Sequence, residues 1–211
     1  MNAKLSGESA LVRTVGHTKA HVPGEVGIWV FILGDMLIFG AFFIVFMYYR
    51  GLNPELFSQS QAMLNQNYGA INTLFLLASS WFVAMAVEDM RSKQVRLAPV
   101  FFALAMFCGA GFGVVKIIEY SEKINAGITI TTNDFFMYYY IFTGLHFLHV
   151  LIGMGVLVFL WLKARAAAKN KIARTDDVIE KDMVLIESGA SYWHMVDLLW
   201  IVLFPLLYLM K

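Results

Sequence analysis

Residues 24–50, GEVGIWVFILGDMLIFGAFFIVFMYYR, decide the fold, because almost every side chain from Val26 to Tyr49 is apolar while one carboxylate, Asp35, sits inside the run. The length matches the ~20 residues that an α-helix needs to cross ~30 Å of hydrocarbon. An aspartate near the centre of such a helix costs roughly 2.5–3.5 kcal/mol to insert, so it is expected to face other helices and to find a partner there. Gly27, Gly34 and Ala41 recur every seventh residue beside it. Such a stripe of small side chains is how one membrane helix lets another come close, and it predicts that this face turns toward a bundle.

Composition points the same way. The 211 residues are 59% hydrophobic, 15% aromatic and only 15% charged, with a mean hydropathy of +0.66, which leaves too little polar surface for a soluble globule. A formal net charge of +1 argues against a nucleic-acid partner. Cys108 is the only cysteine, so neither a disulfide framework nor a cysteine metal site is available. Residues 1–25 include Lys4, Arg13 and Lys19 but no apolar core of signal-peptide length, and are expected to form a retained cytoplasmic tail.

Four further apolar runs follow the first. With it, they predict spans at about 26–49, 69–87, 98–118, 135–162 and 192–210, and hence one all-α membrane domain over 26–211. Turn chemistry marks the connections: Asn53 and Pro54, Pro99, Asn125 and Gly127, and the charged stretch Lys163–Glu187, read as a hydrophilic connector. Basic residues gather in the tail, in the 88–97 loop (Arg91, Lys93, Arg96) and in the 163–187 loop (Lys163, Arg165, Lys169, Lys171, Arg174, Lys181). The positive-inside rule therefore puts the amino terminus in the cytoplasm and the carboxyl terminus outside.

Few residues within the spans can do chemistry. Asn72 and Ser79, like Thr73 and Ser80, are seven apart and form seams able to hydrogen-bond between helices. Gly109 and Gly113 make a GxxxG helix contact, and Lys116 and Glu119 follow at the expected outer end of the third span, where they read as a rim ion pair. His146, His149 and Gly153 share one face of the fourth helix, and His194 and Asp197 lie about one turn apart in the fifth. Paired histidines raise the question of haem or copper, but three intramembrane histidines on two helices do not supply a convergent ligand set. On the residues alone, Asp35, His146, His149, His194 and Asp197 read as buried polar groups that satisfy one another between helices.

The segments INTLFLLASS (71–80), GFGVVKIIEY (111–120), TGLHFLHVLIG (143–153) and ESGASYWHMVDLLWIVLF (187–204) resemble, in order and spacing, the signature segments of subunit III of the haem-copper oxidases. The likeness runs from about Gly24 to the carboxyl terminus. It equates Asp35 with the family's embedded acid, Glu119 and Tyr120 with its EY pair, and His146 and His149 with its paired histidines. Glu187, Tyr192, Trp193, His194 and Asp197 match its terminal motif. Two helices of the seven-helix form are missing. Asp35 replaces a glutamate, Glu25 an arginine, Gly34 a serine and Lys116 a glutamine, and these departures look most like the nitric oxide reductase-associated branch.

The resemblance implies an accessory subunit without catalytic residues, metal or cofactor of its own, in the cytoplasmic membrane of a bacterium. Its partners would be membrane lipid and a catalytic subunit that holds the haem and metal. The expected role is stability, assembly or turnover of a nitric oxide reductase, with an oxygen-reducing cytochrome c or quinol oxidase as the alternative. A stand-alone proton-conducting or transport protein and a haem-binding redox protein are the other classes. The orientation is checked by reporter fusions: a reporter active only outside is expected to work after Lys211 or within 51–67 and to fail within 163–187. An external signal from 163–187 would reverse the topology.

Overall fold

The computed structural model describes residues 24–92, 95–169 and 176–210. The expected tail, apart from Gly24 and Glu25, lies outside the described residues, as do Lys93, Lys171, Arg174 and Lys211. Among the described residues the chain is all helix: α1 Val26–Leu52, α2 Pro54–Ala62, α3 Gln66–Arg91, α4 Ala98–Asn125, α5 Asp134–Lys169 and α6 Asp176–Phe204, closed by a π-helical turn over Pro205–Leu209. Five of these helices are long and apolar enough to cross a membrane. The protein is a multi-pass membrane bundle.

Local chemistry sets the element ends. Pro54 occupies the first turn of α2, where a missing N–H costs nothing. The Asn65 side chain accepts the Asn67 N–H at the start of α3. Asp89 reaches out of the last turn of α3, and its Oδ2 accepts the N–H groups of Arg96, Leu97 and Ala98 at 2.8–2.9 Å. One carboxylate thus satisfies orphan donors at the start of α4. Beyond α4, Gly127 takes a left-handed conformation, φ +76°, while the Ile128 N–H returns to the Lys123 carbonyl, the glycine cap expected of a helix C-terminus.

Three differences from the sequence expectation stand out. The connector 51–67 contains α2. The stretch 163–187, expected as a hydrophilic connector, is largely helical, since α5 runs to Lys169 and α6 starts at Asp176. Hydropathy falls at Lys163, but the following alanines favour helix and carry it past the hydrocarbon. There Lys163 and Asp182 pair across the two helices at 2.9 Å. The small-residue stripe on α1 also does not face the bundle: a Cβ added to Gly27 or Gly34 would have no neighbour within 4 Å. Asp35 follows Gly34 by one residue, about 100° further round the helix, so the stripe and the carboxylate lie on different faces.

The centre of the bundle is α6, 56% of whose 18-residue apolar stretch is buried, against 11% for that of α1 at the edge. Trp193 on α6 is wholly buried. Its indole fills a notch between α4 and α5 that exists because both walls are glycine: a Cβ on Gly109 would stand 3.0 Å from the ring, and one on Gly153 2.7 Å from it. Gly113 is looser, with Phe147 at 3.5 Å. Gly153→Leu is therefore expected to cost about 1–3 kcal/mol by overpacking. Gly155→Leu, whose added Cβ meets nothing within 4 Å, is expected to be near neutral. Thermal unfolding of both variants in detergent checks the contrast, and equal midpoints would contradict the notch.

Candidate functional site

Polar side chains are gathered in three places along the bundle. At the end where α1 begins, Glu187 of α6 receives Arg91 of α3 at 2.9 Å and, through its other oxygen, the Gly24 N–H at 3.1 Å. The Glu25 N–H donates to the Ser188 hydroxyl at 2.9 Å. These bonds tie the start of α1 to α6. At the opposite end Arg50 donates to the Met210 carbonyl at 2.9 Å, so α1 is also held to the end of the chain.

The middle of α1 is held by Asp35. Its Oδ1 lies 3.2 Å from His149 Nε2 of α5, with the two side chains 11% and 14% exposed. The other ring nitrogen of His149 bonds the Leu145 carbonyl at 2.8 Å, which orients the ring, and Phe39 stands edge-on to it at 5.7 Å. The Tyr192 hydroxyl donates to the His149 carbonyl at 3.3 Å. Of the partners expected for Asp35, His149 is present. His194 Nδ1 and the Ser80 hydroxyl instead form a hydrogen bond at 2.5 Å, which directs His194 to α3, and the Oδ1 of Asp197 is buried without a hydrogen-bond partner.

The third cluster is the one the sequence misplaced. Lys116 and Glu119 were expected as a rim ion pair, yet their side chains are each 1% exposed and 2.9 Å apart. Because α4 continues to Asn125, they lie more than a turn inside its end and face inward rather than toward the headgroups. The Tyr208 hydroxyl of the π-helical turn donates to Glu119 Oε1 at 2.7 Å, and Lys116 Nζ donates to the hydroxyls of Tyr208 and Tyr139 at 3.0 and 3.4 Å. Four rings, Tyr120, Tyr139, Trp200 and Tyr208, surround the ammonium at 5.0–5.6 Å. An ammonium is tolerated in such a place only with its counter-charge and donors matched, and the aromatic faces add cation–π attraction. Tyr120 is tied separately to Thr143 at 2.6 Å. The sequence shows Tyr120, Tyr139, Trp200 and Tyr208 on three separate stretches, but nothing in it showed that they converge on Lys116.

The remaining candidates are distributed between helices. Ser79 donates to the Ala105 carbonyl of α4 at 2.9 Å, while Thr73 accepts the Trp200 indole N–H of α6 at 3.0 Å. The two seams of α3 thus serve two different neighbours. His146 stacks on Trp200 at 5.2 Å and meets the edge of Phe112 at 5.5 Å, so it turns away from His149 toward α4 and α6. The three intramembrane histidines go to separate partners. Among the described residues no three His, Cys, Asp or Glu side chains are placed to hold a metal ion.

The fold and these buried polar clusters define an integral membrane bundle whose helices are joined by hydrogen bonds and ion pairs. The chain belongs to the cytochrome c oxidase subunit III family, whose pattern it matches over residues 6–211. It is 29% identical over 198 residues to the cytochrome c oxidase subunit 3 of Thermostichus vulcanus, covering 93% of this chain and 92% of that protein. It is 26% identical over 191 residues to the quinol oxidase subunit 3 of Bacillus subtilis strain 168, covering 88% and 86%. A heme-copper oxidase subunit I+III of Aeropyrum pernix is 26% identical over 187 residues, 86% of this chain and 22% of that longer protein. These relatives carry oxidase names, and the expected nitric oxide reductase branch gains no support from them.

The buried pair makes a sign-specific prediction. Glu119→Leu strands the Lys116 ammonium and is expected to cost about 3–5 kcal/mol, whereas Lys116→Met with Glu119→Leu removes both charges and recovers most of that loss. Thermal midpoints of the single and double variants check it. A double variant less stable than the single one would mean that the charges are not matched to each other.

Proposed function

We propose that the chain is the accessory subunit III of an oxygen-reducing haem-copper oxidase, assembled with a catalytic subunit I and lacking catalytic residues and cofactors of its own. The family match over almost the whole chain is the observation that supports this most. The relatives named as subunit 3 of cytochrome c and quinol oxidases agree with it, and the relative named as subunit I+III places both subunits in one polypeptide. Supporting it from the geometry, Asp35, His149, His194 and Glu187 are spent on helix-to-helix bonds. On this reading they position helices for a partner, and the haem and metal reside in that partner.

The same proposal puts the protein in a bacterial cytoplasmic membrane, with the Arg91–Glu187 end at the cytoplasmic face, in keeping with the basic loops. The nitric oxide reductase association rests on Asp35, Glu25, Gly34 and Lys116 alone and is the lesser reading. The deciding experiment is purification of the tagged chain in mild detergent from its own host, with mass spectrometry, haem analysis and oxygen uptake of whatever accompanies it. A co-purifying catalytic subunit that consumes oxygen is the expected result. A haem b-only partner that reduces nitric oxide and not oxygen would overturn it.

A further inference from the structure

Asn72 and His146 lie in one cross-section of the bundle. The Ser79 hydroxyl on the Ala105 carbonyl fixes the antiparallel register of α3 and α4. Seven residues back along α3 and seven forward along α4, Asn72 comes level with Phe112. The Phe112 ring stands edge-on to both His146, at 5.5 Å, and Trp200, at 4.9 Å. Thr73, next to Asn72, holds the Trp200 indole N–H. Asn72 and His146 therefore lie at the level of the same aromatic pair, Phe112 and Trp200.

Both side chains are 0% exposed, and neither amide atom of Asn72 nor either ring nitrogen of His146 has a hydrogen-bond partner in the protein. Buried polar groups are almost always paired, and an unpaired one is a heavy penalty. A neutral imidazole offers one donor and one acceptor, and an amide offers both kinds. The ligand that answers such a set must donate, accept and be small. The Lys116 ammonium already lies 5.3 Å over the Trp200 ring, on which His146 also stacks at 5.2 Å, so a second cation would meet a like charge. Water fits all of these conditions.

We infer that this cross-section is an internal water site, with a water on each ring nitrogen of His146, since the two nitrogens diverge, and with Asn72 in the same hydrogen-bonded group. The site lies between the Lys116–Glu119 cluster, which shares the Trp200 ring with His146, and the Asp35–His149 pair one turn along α5.

The test compares two replacements of similar shape in the full-length chain. His146→Gln keeps groups that bond water, whereas His146→Met removes them. A wet site places the Gln variant above the Met variant in thermal midpoint by about 2–8 °C. It also makes Asn72→Leu destabilising in the parent and less so in the His146→Met background, because the shared water is already lost. A dry core gives Met at or above Gln and Asn72→Leu neutral or stabilising, and overturns the inference. Should the variants fail to fold, a high-resolution map of the parent protein decides. Solvent peaks ~3 Å from the His146 nitrogens support the site, and their absence where other buried waters are visible overturns it.

Discussion

Lipid tails are as apolar as leucine, so packing apolar faces together gains a membrane helix little that lipid does not already supply. Close fit and hydrogen bonds have to do what hydrophobic burial does in water, and this bundle uses both. Trp193 enters a slot cut by Gly109 and Gly153, and α6, which bears it, becomes the element that the others touch. Around that fit, the polar side chains act as clasps placed where helices would otherwise be free to part. Lys116 with Glu119 and Tyr208 fastens the final π-helical turn to α4, while Ser79, Thr73 and Ser80 stitch α3 to α4 and α6.

The first helix shows the constraint in its purest form. Of its 27 residues only Phe39 and Phe46 are buried, and its broad face of Val30, Phe31, Leu33, Leu37 and Ile44 is exposed, as a lipid- or partner-facing surface is. What fixes it are bonds near its start, middle and end: to Glu187 and Ser188, to His149, and to the Met210 carbonyl. The Asp35 carboxylate is thus explained without any ligand chemistry, as the midpoint attachment of a helix that has few others.

The spans were legible because a run of twenty or more apolar residues has one common meaning, and the inward aim of Asp35 because hydrocarbon leaves a carboxylate nowhere else to go. The helical extensions across 163–187 were not, since hydropathy measures where lipid ends and not where a helix does. The depth of Lys116 followed from the same error: ending the span at 118 put at the rim a side chain that the longer α4 holds inside. The α1 glycines misled for a different reason, because a seven-residue repeat specifies a face but not which neighbour, if any, occupies it. The split of His146 and His149 between opposite neighbours was equally hidden, since residues three apart share a face only to within about 60°.

The attachments of α1 have an implication for how the protein is made. The Gly24 N–H and its acceptor Glu187 are separated by 163 residues, and Arg50 and the Met210 carbonyl by 160. At a synthesis rate of ~5–20 residues per second, α1 leaves the ribosome roughly ten to thirty seconds before the groups that will hold its two ends. Its aspartate waits for His149, 114 residues later, or roughly six to twenty-three seconds at the same rate, which makes the newborn first helix the point at which an insertion factor, or a quality-control protease, has its opportunity.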